Sequence, residues 1–191
     1  MRLNITLLNV PVKIMRRMDV PVETNLEDLH IFIQATMGWR SCHLWGFYAK
    51  RYGRRVYWSP EEDEQSLNMT FLDVLHFLQG HRHFFYTYDY GDNWEHRIHI
   101  GKIERARDDR KYPYLLSATG RCPPENIGGG CGYSEFLEGL ENPNADPSND
   151  EYYSPFLDEN DSWDAEDPEI EVRRGRLEYE RNEYEKYHKR G

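Results

Sequence analysis

The sequence predicts a single α+β domain in which an antiparallel β-sheet packs against a few α-helices. Residues 84–100 alternate between inward and outward side chains on both sides of a turn signal, as a β-hairpin does. Residues 3–7 and 12–20 also alternate and are separated by a Pro-containing break, which predicts two more strands joined by a short turn. Residues 25–37 repeat their apolar positions at helical spacing.

The first helix is the element with the clearest start and stop signals. Thr24 and Glu27 have the spacing of a capping box, in which each side chain bonds a backbone N–H of the first turn. Gly38 is placed to end the helix, because glycine adopts the left-handed conformation of a C-cap without strain. We therefore predict a helix over residues 25–37.

The middle of the chain returns to strands before a second, shorter helix. Residues 39–58 have a strand-like pattern with a hairpin turn at Gly53. Thr70 and Asp73 are spaced to cap a short helix, and Gly80 follows its last apolar residue. Short turns between strands are typical of antiparallel pairing, so these elements support an antiparallel sheet.

The segment 84–100 is the most informative part of the sequence. Its even positions are aromatic, aliphatic or histidine, which predicts that they share the core face. A three-residue loop would pair Tyr88 with His96, and it would pair Asp89 with Glu95 on the other face. A shift by one residue would place charged residues opposite core residues, so the pattern selects this pairing.

The charge distribution divides the chain into three parts. The net charge is −10, but residues 141–172 hold twelve acidic residues and no basic one. We predict an α+β domain at 1–141, an acidic loop-rich extension at 142–172, and a charged helix or tail at 173–191. Since the acidity is local, it does not exclude nucleic-acid binding by the rest of the chain.

Composition also indicates the compartment. No apolar run approaches the roughly 18 residues that span a bilayer, and polar residues interrupt the N-terminal segment where a signal peptide would be apolar. The cysteines are odd in number, widely spaced and without a CxxC pair, which favours a reducing compartment. We expect a cytoplasmic protein without a membrane partner. The cysteines are Cys42, Cys122 and Cys131.

Several ordered motifs over about residues 1–141 resemble one known family. The main motif is Tyr88-Asp89-Tyr90-Gly91-Asp92-Asn93-Trp94-Glu95-His96. The supporting segments are Ile14-Met15-Arg16-Arg17, Leu26-Glu27-Asp28-Leu29-His30, Met37-Gly38-Trp39, His43-Leu44-Trp45, Cys122-Pro123-Pro124-Glu125-Asn126, Gly128-Gly129 and Gly132-Tyr133. Together they resemble the plasmid pRi open-reading-frame-three-like family.

This resemblance implies an α+β fold with an antiparallel sheet, an association with plasmids or mobile elements, and no known activity. Members are often labelled TnpR, a passenger protein of insertion elements. A serine recombinase needs a nucleophilic serine near its N-terminus, whereas the first serine here is Ser41, so the sequence does not support a resolvase activity. The family often has a second cysteine where this chain has Ile127, which argues against a metal site built on a cysteine pair.

The predicted hairpin suggests a cation site. Asp89 facing Glu95, with Asp92 in the turn and His99 on the same face, would offer hard ligands to a divalent metal. The alternative is that Asp92 and Asn93 only form the turn, while the other two carboxylates are exposed or bonded to a basic neighbour.

Two further groups of residues have both a chemical and a structural interpretation. Trp94 and His96 belong to the same hairpin, and His96 is either a catalytic base in a cleft or a packed core residue. Cys122 is a candidate reactive thiol beside Glu125, in a Gly- and Pro-rich loop predicted at residues 121–132. That loop either contacts an anion or simply permits an irregular backbone.

Paired arginines suggest nucleic-acid contacts. Arg16 with Arg17, and Arg54 with Arg55, lie near aromatic residues that are able to stack on single-stranded bases. Solvated strand edges explain the same arginines, and the acidic extension is a possible internal competitor for them.

Taken together, these features predict a non-catalytic binding or interaction domain, with the C-terminal tail as a possible site for a protein partner. No cofactor is predicted. The alternatives are a nucleic-acid-binding domain that uses the basic loops, and a metal-dependent hydrolase or nuclease built on residues 89–96.

Overall fold

The structure is a computed structural model that describes residues 1–51, 54–60, 67–142, 155, 157 and 163–188. For residues 50, 51, 54, 55, 187 and 188 it describes the backbone only. The strands are β1 (Arg2–Leu7), β2 (Met15–Asp19), β3 (Trp45–Arg51), β4 (Arg54–Trp58), β5 (His83–Tyr88), β6 (Trp94–Ile100) and β7 (Tyr114–Thr119). The helices are α1 (Leu26–Met37), α2 (Phe71–Leu78), α3 (Gly129–Glu141) and α4 (Ile170–His188).

The strands form one seven-stranded sheet in the order β4-β3-β5-β6-β1-β2-β7. Every neighbouring pair is antiparallel, which confirms the predicted α+β class with an antiparallel sheet. β7 is a finding of the structure, since the sequence pattern did not predict it. Only Leu115 of β7 is buried, so its strand has little of the alternation that would reveal it.

One face of the sheet packs under α1 and α2 and forms the core. From α1, His30 stacks on Trp45 of β3 with ring centroids 3.9 Å apart. From α2, Phe71 meets Phe84 of β5 edge-on at 6.3 Å. The other face bears exposed side chains along β2, β5 and β6, so it is open to solvent; we call it the open face. Its exposed members include Arg17, His83, Arg97 and His99.

The helix ends are close to those predicted from the sequence. Gly38 is left-handed (φ 103°) and its N–H bonds Gln34 O, as expected of the residue that ends α1. The predicted capping box at Thr24 is wrong, because the cap is Asn25, whose side-chain oxygen accepts from Asp28 N at 2.8 Å. The predicted box between Thr70 and Asp73 is present at the start of α2.

The β5–β6 hairpin has the predicted faces but not the predicted register. Tyr88 pairs with Trp94, and Thr87 rather than Asp89 pairs with Glu95, a shift of two residues. The loop is longer because Asp89 has left the strand: its backbone is left-handed (φ 54°) and its carboxylate accepts from Gly91 N at 2.9 Å. An even shift preserves the inward and outward faces, so the even positions of both strands are buried as predicted.

The C-terminal part contains two helices, α3 and α4. α3 begins at Gly129, within the stretch predicted as loop. α4 covers most of the segment predicted as a charged helix or tail, and it packs against α1 and β7. Leu177 is its buried apolar contact, and Arg174 donates to Leu115 O and Leu116 O of β7 at 3.2 Å each.

Two predictions fall on residues that the structure does not describe. The turn at Gly53 is one of them. The role of the acidic extension as an internal competitor is the other, because residues 143–154 and several that follow lie outside the described ranges. Among the described helices, none combines the length and apolar character that crossing a membrane requires.

Candidate metal centre

Three segments that are distant in sequence meet beside the end of β5. They are the loop from α1 to β3 at residues 39–44, the β5 end at residues 88–89, and the loop from β7 to α3 around Glu125. Trp39 Nε1 donates to Pro123 O at 2.9 Å and thereby joins the first loop to the third. Gln34 Oε1 accepts from Ser41 N at 3.0 Å, which holds the first loop against the end of α1.

Glu125 accepts hydrogen bonds from the other two segments. Its carboxylate accepts hydrogen bonds from Tyr88 OH at 2.5 Å, from Arg40 N and Nε at 3.1 Å each, and from Cys42 Sγ at 3.4 Å. Partial burial raises the pKa of Glu125, but the hydrogen bonds from Tyr88, Arg40 and Cys42 outweigh that effect and the net pKa is lowered. Glu125 is therefore an ionised carboxylate with fixed oxygen positions.

Tyr88 connects the loop that carries Cys42 to the carboxylate of Glu125. Burial is the main cause that raises the pKa of Tyr88, and its hydrogen bonds to Glu125 and Cys42 add to this, so the side chain stays a neutral phenol. The phenol oxygen accepts from Cys42 N at 3.1 Å while its proton is donated to Glu125. Tyr88 thus fixes the distance between the Cys42 loop and the carboxylate.

Cys42, His43 and Glu125 bring three different ligand types together. The Cys42 sulfur, a His43 ring nitrogen and a Glu125 oxygen all lie within 4.8 Å of one another. His43 Nε2 also lies 3.6 Å from Asp89 Oδ2. Asp89 is in turn fixed by Gly91 N at 2.9 Å and Asp92 N at 3.3 Å, so the carboxylate behind the histidine has a defined place.

The formal charges of the cluster suit a divalent cation. Glu125 and Asp89 contribute two negative charges, and Arg40 contributes one positive charge through its ion pair with Glu125. The Cys42 thiol donates a hydrogen bond to Glu125. A divalent cation would stabilise the thiolate, and the group would then be electrically neutral.

A cleft of about 620 Å³ opens next to the cluster. Glu125 and Arg40 belong to both the cluster and the cleft. The cleft also contains Arg121, Arg173 and Glu169, so three guanidinium groups face two carboxylates.

Comparisons with known proteins identify the family. The sequence profile of the plasmid pRiA4b ORF-3-like proteins matches residues 1–172. The chain belongs to this family. It is 40% identical over 148 residues to the uncharacterized protein y4hQ of Sinorhizobium fredii (strain NBRC 101917 / NGR234), a match that covers 74% of this chain and 73% of that protein.

The fold of this pRiA4b ORF-3-like protein is similar to that of a solved structure. A protein of unknown function from Methanosarcina mazei Go1, MM3350, aligns with a TM-score of 0.74 and 29% sequence identity. The alignment covers 88% of this chain and 94% of that one.

The four residues predicted as a metal site on the hairpin do not form a group of possible ligands in the described part of the structure. Asp89 lies beside His43, but the shifted register separates it from Glu95, whose carboxylate is bonded to Tyr48 OH on the open face. His99 is also on the open face, opposite His83, and Asp92 lies in the turn. Within the described ranges, the only group of three or more possible ligands is the one formed by Cys42, His43 and Glu125.

The other hairpin and loop candidates are core residues. Trp94 and His96 are almost fully buried, and burial lowers the pKa of His96 to about 3, so it cannot serve a solvent-facing reaction as a base. Cys122 is buried, and burial raises the pKa of its thiol to about 12, which argues against the predicted reactive thiol. Of the predicted pair Cys122 and Glu125, only Glu125 belongs to the site.

The predicted arginine contacts also divide into two groups. Arg16 is fully buried, and its guanidinium bonds Thr36 O, Thr119 O and Gly120 O at 2.7–3.0 Å, so the prediction that it contacts nucleic acid is wrong. Arg17 is exposed on the open face. Arg54 and Arg55 lie in β4, and their side chains are outside the described part of the structure.

Sequence reasoning missed Cys42, His43, Tyr88 and Arg40 as site residues. One signal was available: Cys42 and His43 are adjacent, and both side chains are common zinc ligands. The signal is weak alone, because the third ligand, Glu125, lies more than eighty residues away and only the fold brings it near.

Proposed function

We propose that this pRiA4b ORF-3-like protein is a binding domain whose site holds a zinc-class divalent metal on Cys42, His43 and Glu125. The observation that supports this is the convergence of a thiol, an imidazole and a carboxylate within 4.8 Å of one another, from loops held by separate hydrogen bonds. Thiolate and imidazole ligands together select zinc and similar first-row metals over magnesium or calcium.

The surroundings of the cluster match the needs of such a site. A metal-bound histidine usually gives its second ring nitrogen to a carboxylate, which fixes the ring and raises its basicity. Asp89 lies beside the ring, with Oδ2 3.6 Å from His43 Nε2, which is an ion-pair distance and longer than a hydrogen bond. Three protein ligands leave one position of a tetrahedral metal open, which is the arrangement of sites that take an exogenous ligand.

The neighbouring cleft supports an anionic exogenous ligand. Its guanidinium groups exceed its carboxylates by one, and one of those carboxylates is Glu125, which the metal would neutralise. Arg121 is stacked over Trp163 at 4.0 Å, Arg173 is paired with Glu169, and Arg40 is paired with Glu125, so all three cations are held in place. A carboxylate or phosphate group would occupy the open position on the metal and pair with the guanidinium groups of the cleft.

Zinc titration tests the proposal directly. Chelator-treated protein is titrated with Zn²⁺ by calorimetry, and we expect one metal per chain. Replacement of a direct ligand, in Cys42→Ser or His43→Gln, removes most of the affinity. Asp89→Asn lowers affinity by about 10- to 100-fold, the usual effect of losing a carboxylate behind a metal-bound histidine.

Cys131→Ser is the matched control. Cys131 is also an exposed free cysteine, but it lies in α3 outside the cluster, so its replacement should leave the titration unchanged. Absence of zinc binding by the wild-type protein would refute the proposal, and so would an equal loss of affinity in Cys131→Ser and Cys42→Ser.

A further inference from the structure

The open face of the sheet carries an aromatic row that continues into cationic residues. Successive residue pairings trace one line across neighbouring strands: Tyr57 pairs with Tyr48, Tyr48 with Phe85, and Phe85 with Arg97. Arg97 in turn pairs with Thr6, and Thr6 with Met15. The line therefore runs from ring to ring to guanidinium over four adjacent strands.

The rings are held as a platform. Tyr48 and Phe85 are stacked, with centroids 4.9 Å apart and planes 10° from parallel, and Tyr57 lies 5.7 Å from Tyr48. Tyr48 OH donates to Glu95, which fixes the central ring from its polar end. Tyr57 is 44% exposed and Phe85 is partly exposed, whereas Tyr48 between them is buried, so the platform presents the Tyr57 and Phe85 rings to solvent.

Gly46 leaves room for a further aromatic ring beside the row. Tyr90 lies across Gly46, because a Cβ atom at Gly46 would be 2.9 Å from Tyr90 OH. Tyr90 is 49% exposed and adds another ring beside the row. Only the absence of a side chain at position 46 leaves room for this close approach.

Two arginines and two histidines lie beside the platform on the same face. Arg97 and Arg17 are exposed, and His83 and His99 are exposed and directly opposite each other. The face ends at a cavity of about 450 Å³ beside the ion pair of Arg2 and Asp19. The charged side chains of this cavity are five basic and three acidic: Arg2, Lys102, Arg105, Arg107 and Arg110, and Asp19, Glu23 and Glu104.

We propose that the open face binds single-stranded nucleic acid, with bases stacked on Phe85, Tyr57 and Tyr90 and phosphates paired with Arg97, Arg17 and the cavity. Exposed rings on a sheet are suited to unpaired bases, whose flat faces are free to stack. In a duplex these faces are covered by neighbouring base pairs, so the platform favours single strands. The proposal is separate from the metal centre and does not depend on it.

The charge pattern distinguishes a nucleic acid from an acidic protein as the partner. The chain as a whole carries −10, so a general attraction for polyanions is absent and any binding depends on local groups. Acidic peptides would use the arginines but not a row of ring faces. Only a ligand with both phosphates and flat bases uses the two parts of the surface together.

Fluorescence anisotropy with a labelled single-stranded oligonucleotide of mixed sequence tests this surface. The full-length protein is titrated at several salt concentrations, with a duplex and heparin as competitors. Heparin has the charge of a nucleic acid without the bases. We expect single strands to bind more tightly than either competitor.

Two variants separate the parts of the surface. Phe85→Leu keeps an apolar side chain but removes the ring, and we expect affinity to fall by at least about fivefold with an unchanged salt slope. The double replacement Arg17→Gln with Arg97→Gln should weaken binding to every sequence and reduce the salt slope by about two. Arg176→Gln, on α4, is the matched control and should bind like the wild-type protein.

The possible results decide the proposal. Tight single-strand binding that both kinds of variant weaken supports it. No binding at low salt overturns it, as does binding that Phe85→Leu and the double arginine variant leave unchanged. Heparin binding as tight as oligonucleotide binding, with no effect of Phe85→Leu, would show a polyanion surface and also overturn it.

Discussion

Two buried histidines predict a stability that depends steeply on pH. His30 Nδ1 is hydrogen-bonded to Tyr86 OH at 2.8 Å, and Gln34 Nε2 donates to the same phenol oxygen at 2.9 Å. His96 Nδ1 lies 3.3 Å from Tyr86 O in the neighbouring strand. Burial lowers the pKa of both histidines from 6.5 to about 3, so both are neutral in the folded protein.

The direction and the magnitude of this pH dependence follow from the protons that the folded and unfolded chains bind. Below pH 6.5 the unfolded chain takes up a proton at each histidine, while the folded protein does not until about pH 3. The contribution of the two neutral histidines to the free energy of unfolding is therefore fully present above about pH 6.5. It falls as the pH decreases toward 3, by about 1.4 kcal/mol per pH unit for each histidine. At pH 5 the loss is about 2 kcal/mol for each, or about 4 kcal/mol for the pair.

Urea unfolding at pH 8 and pH 5, with a chelator present, measures this loss. His96→Leu removes the titrating ring and retains apolar volume, and His30→Gln retains a polar contact to Tyr86. Whatever their stability at pH 8, each variant should lose about 2 kcal/mol less than the wild-type protein between the two pH values. His99→Gln, at an exposed position, should show the wild-type difference. An unchanged pH dependence in both core variants would refute the reasoning.

Two further predictions concern packing. Gly132→Ala in α3 should destabilise the protein by about 3 kcal/mol, because its Cβ would lie 1.8 Å from Ile127 O. Gly139→Ala in the same helix meets no atom within 4 Å and should stabilise by about 0.5–1 kcal/mol. Leu177→Ala should cost about 2–5 kcal/mol by loosening α4, whereas Val172→Ala, at a site 61% exposed, should cost almost nothing. Urea unfolding of the four variants checks these values, and equal stabilities within either pair would contradict the packing described.

The hairpin shows what local pattern determines and what it leaves open. Alternation from residue 84 to 100 predicted the buried face correctly, because a period of two fixes which side chains point inward. It did not determine the register, because a shift of two residues leaves both faces intact. The loop length depends on Asp89, because the bonds that its carboxylate accepts from Gly91 N and Asp92 N draw it out of the strand.

Elements with few apolar residues were the hardest to place. The sequence of α4 correctly predicted a helix, but its apolar positions gave little sign that it would dock. Much of its attachment is polar and long-range, as in the bonds from Arg174 to the carbonyl groups of Leu115 and Leu116. Periodicity contains no information about such partners, because they depend on where another strand lies.

Sequence analysis identified only part of the candidate metal centre, because the contacts that assemble it also depend on the complete fold. Asp89 and Glu125 were both selected as candidates, but in two separate groups. Their meeting with Cys42 and His43 depends on the Trp39 contact to Pro123 between two loops. Loop contacts of this kind follow from the complete fold and not from the spacing of the ligands along the chain.

Cobalt substitution is the most direct test of the metal centre. Co²⁺ replaces zinc-class metals, and a thiolate ligand gives it an intense near-ultraviolet charge-transfer absorption. We expect this band to saturate at one equivalent of Co²⁺ in the wild-type protein and in Cys131→Ser, to strengthen as the pH rises because Cys42 must lose its proton, and to vanish in Cys42→Ser. A wild-type protein without the band, or a band that persists in Cys42→Ser, would contradict the proposed centre.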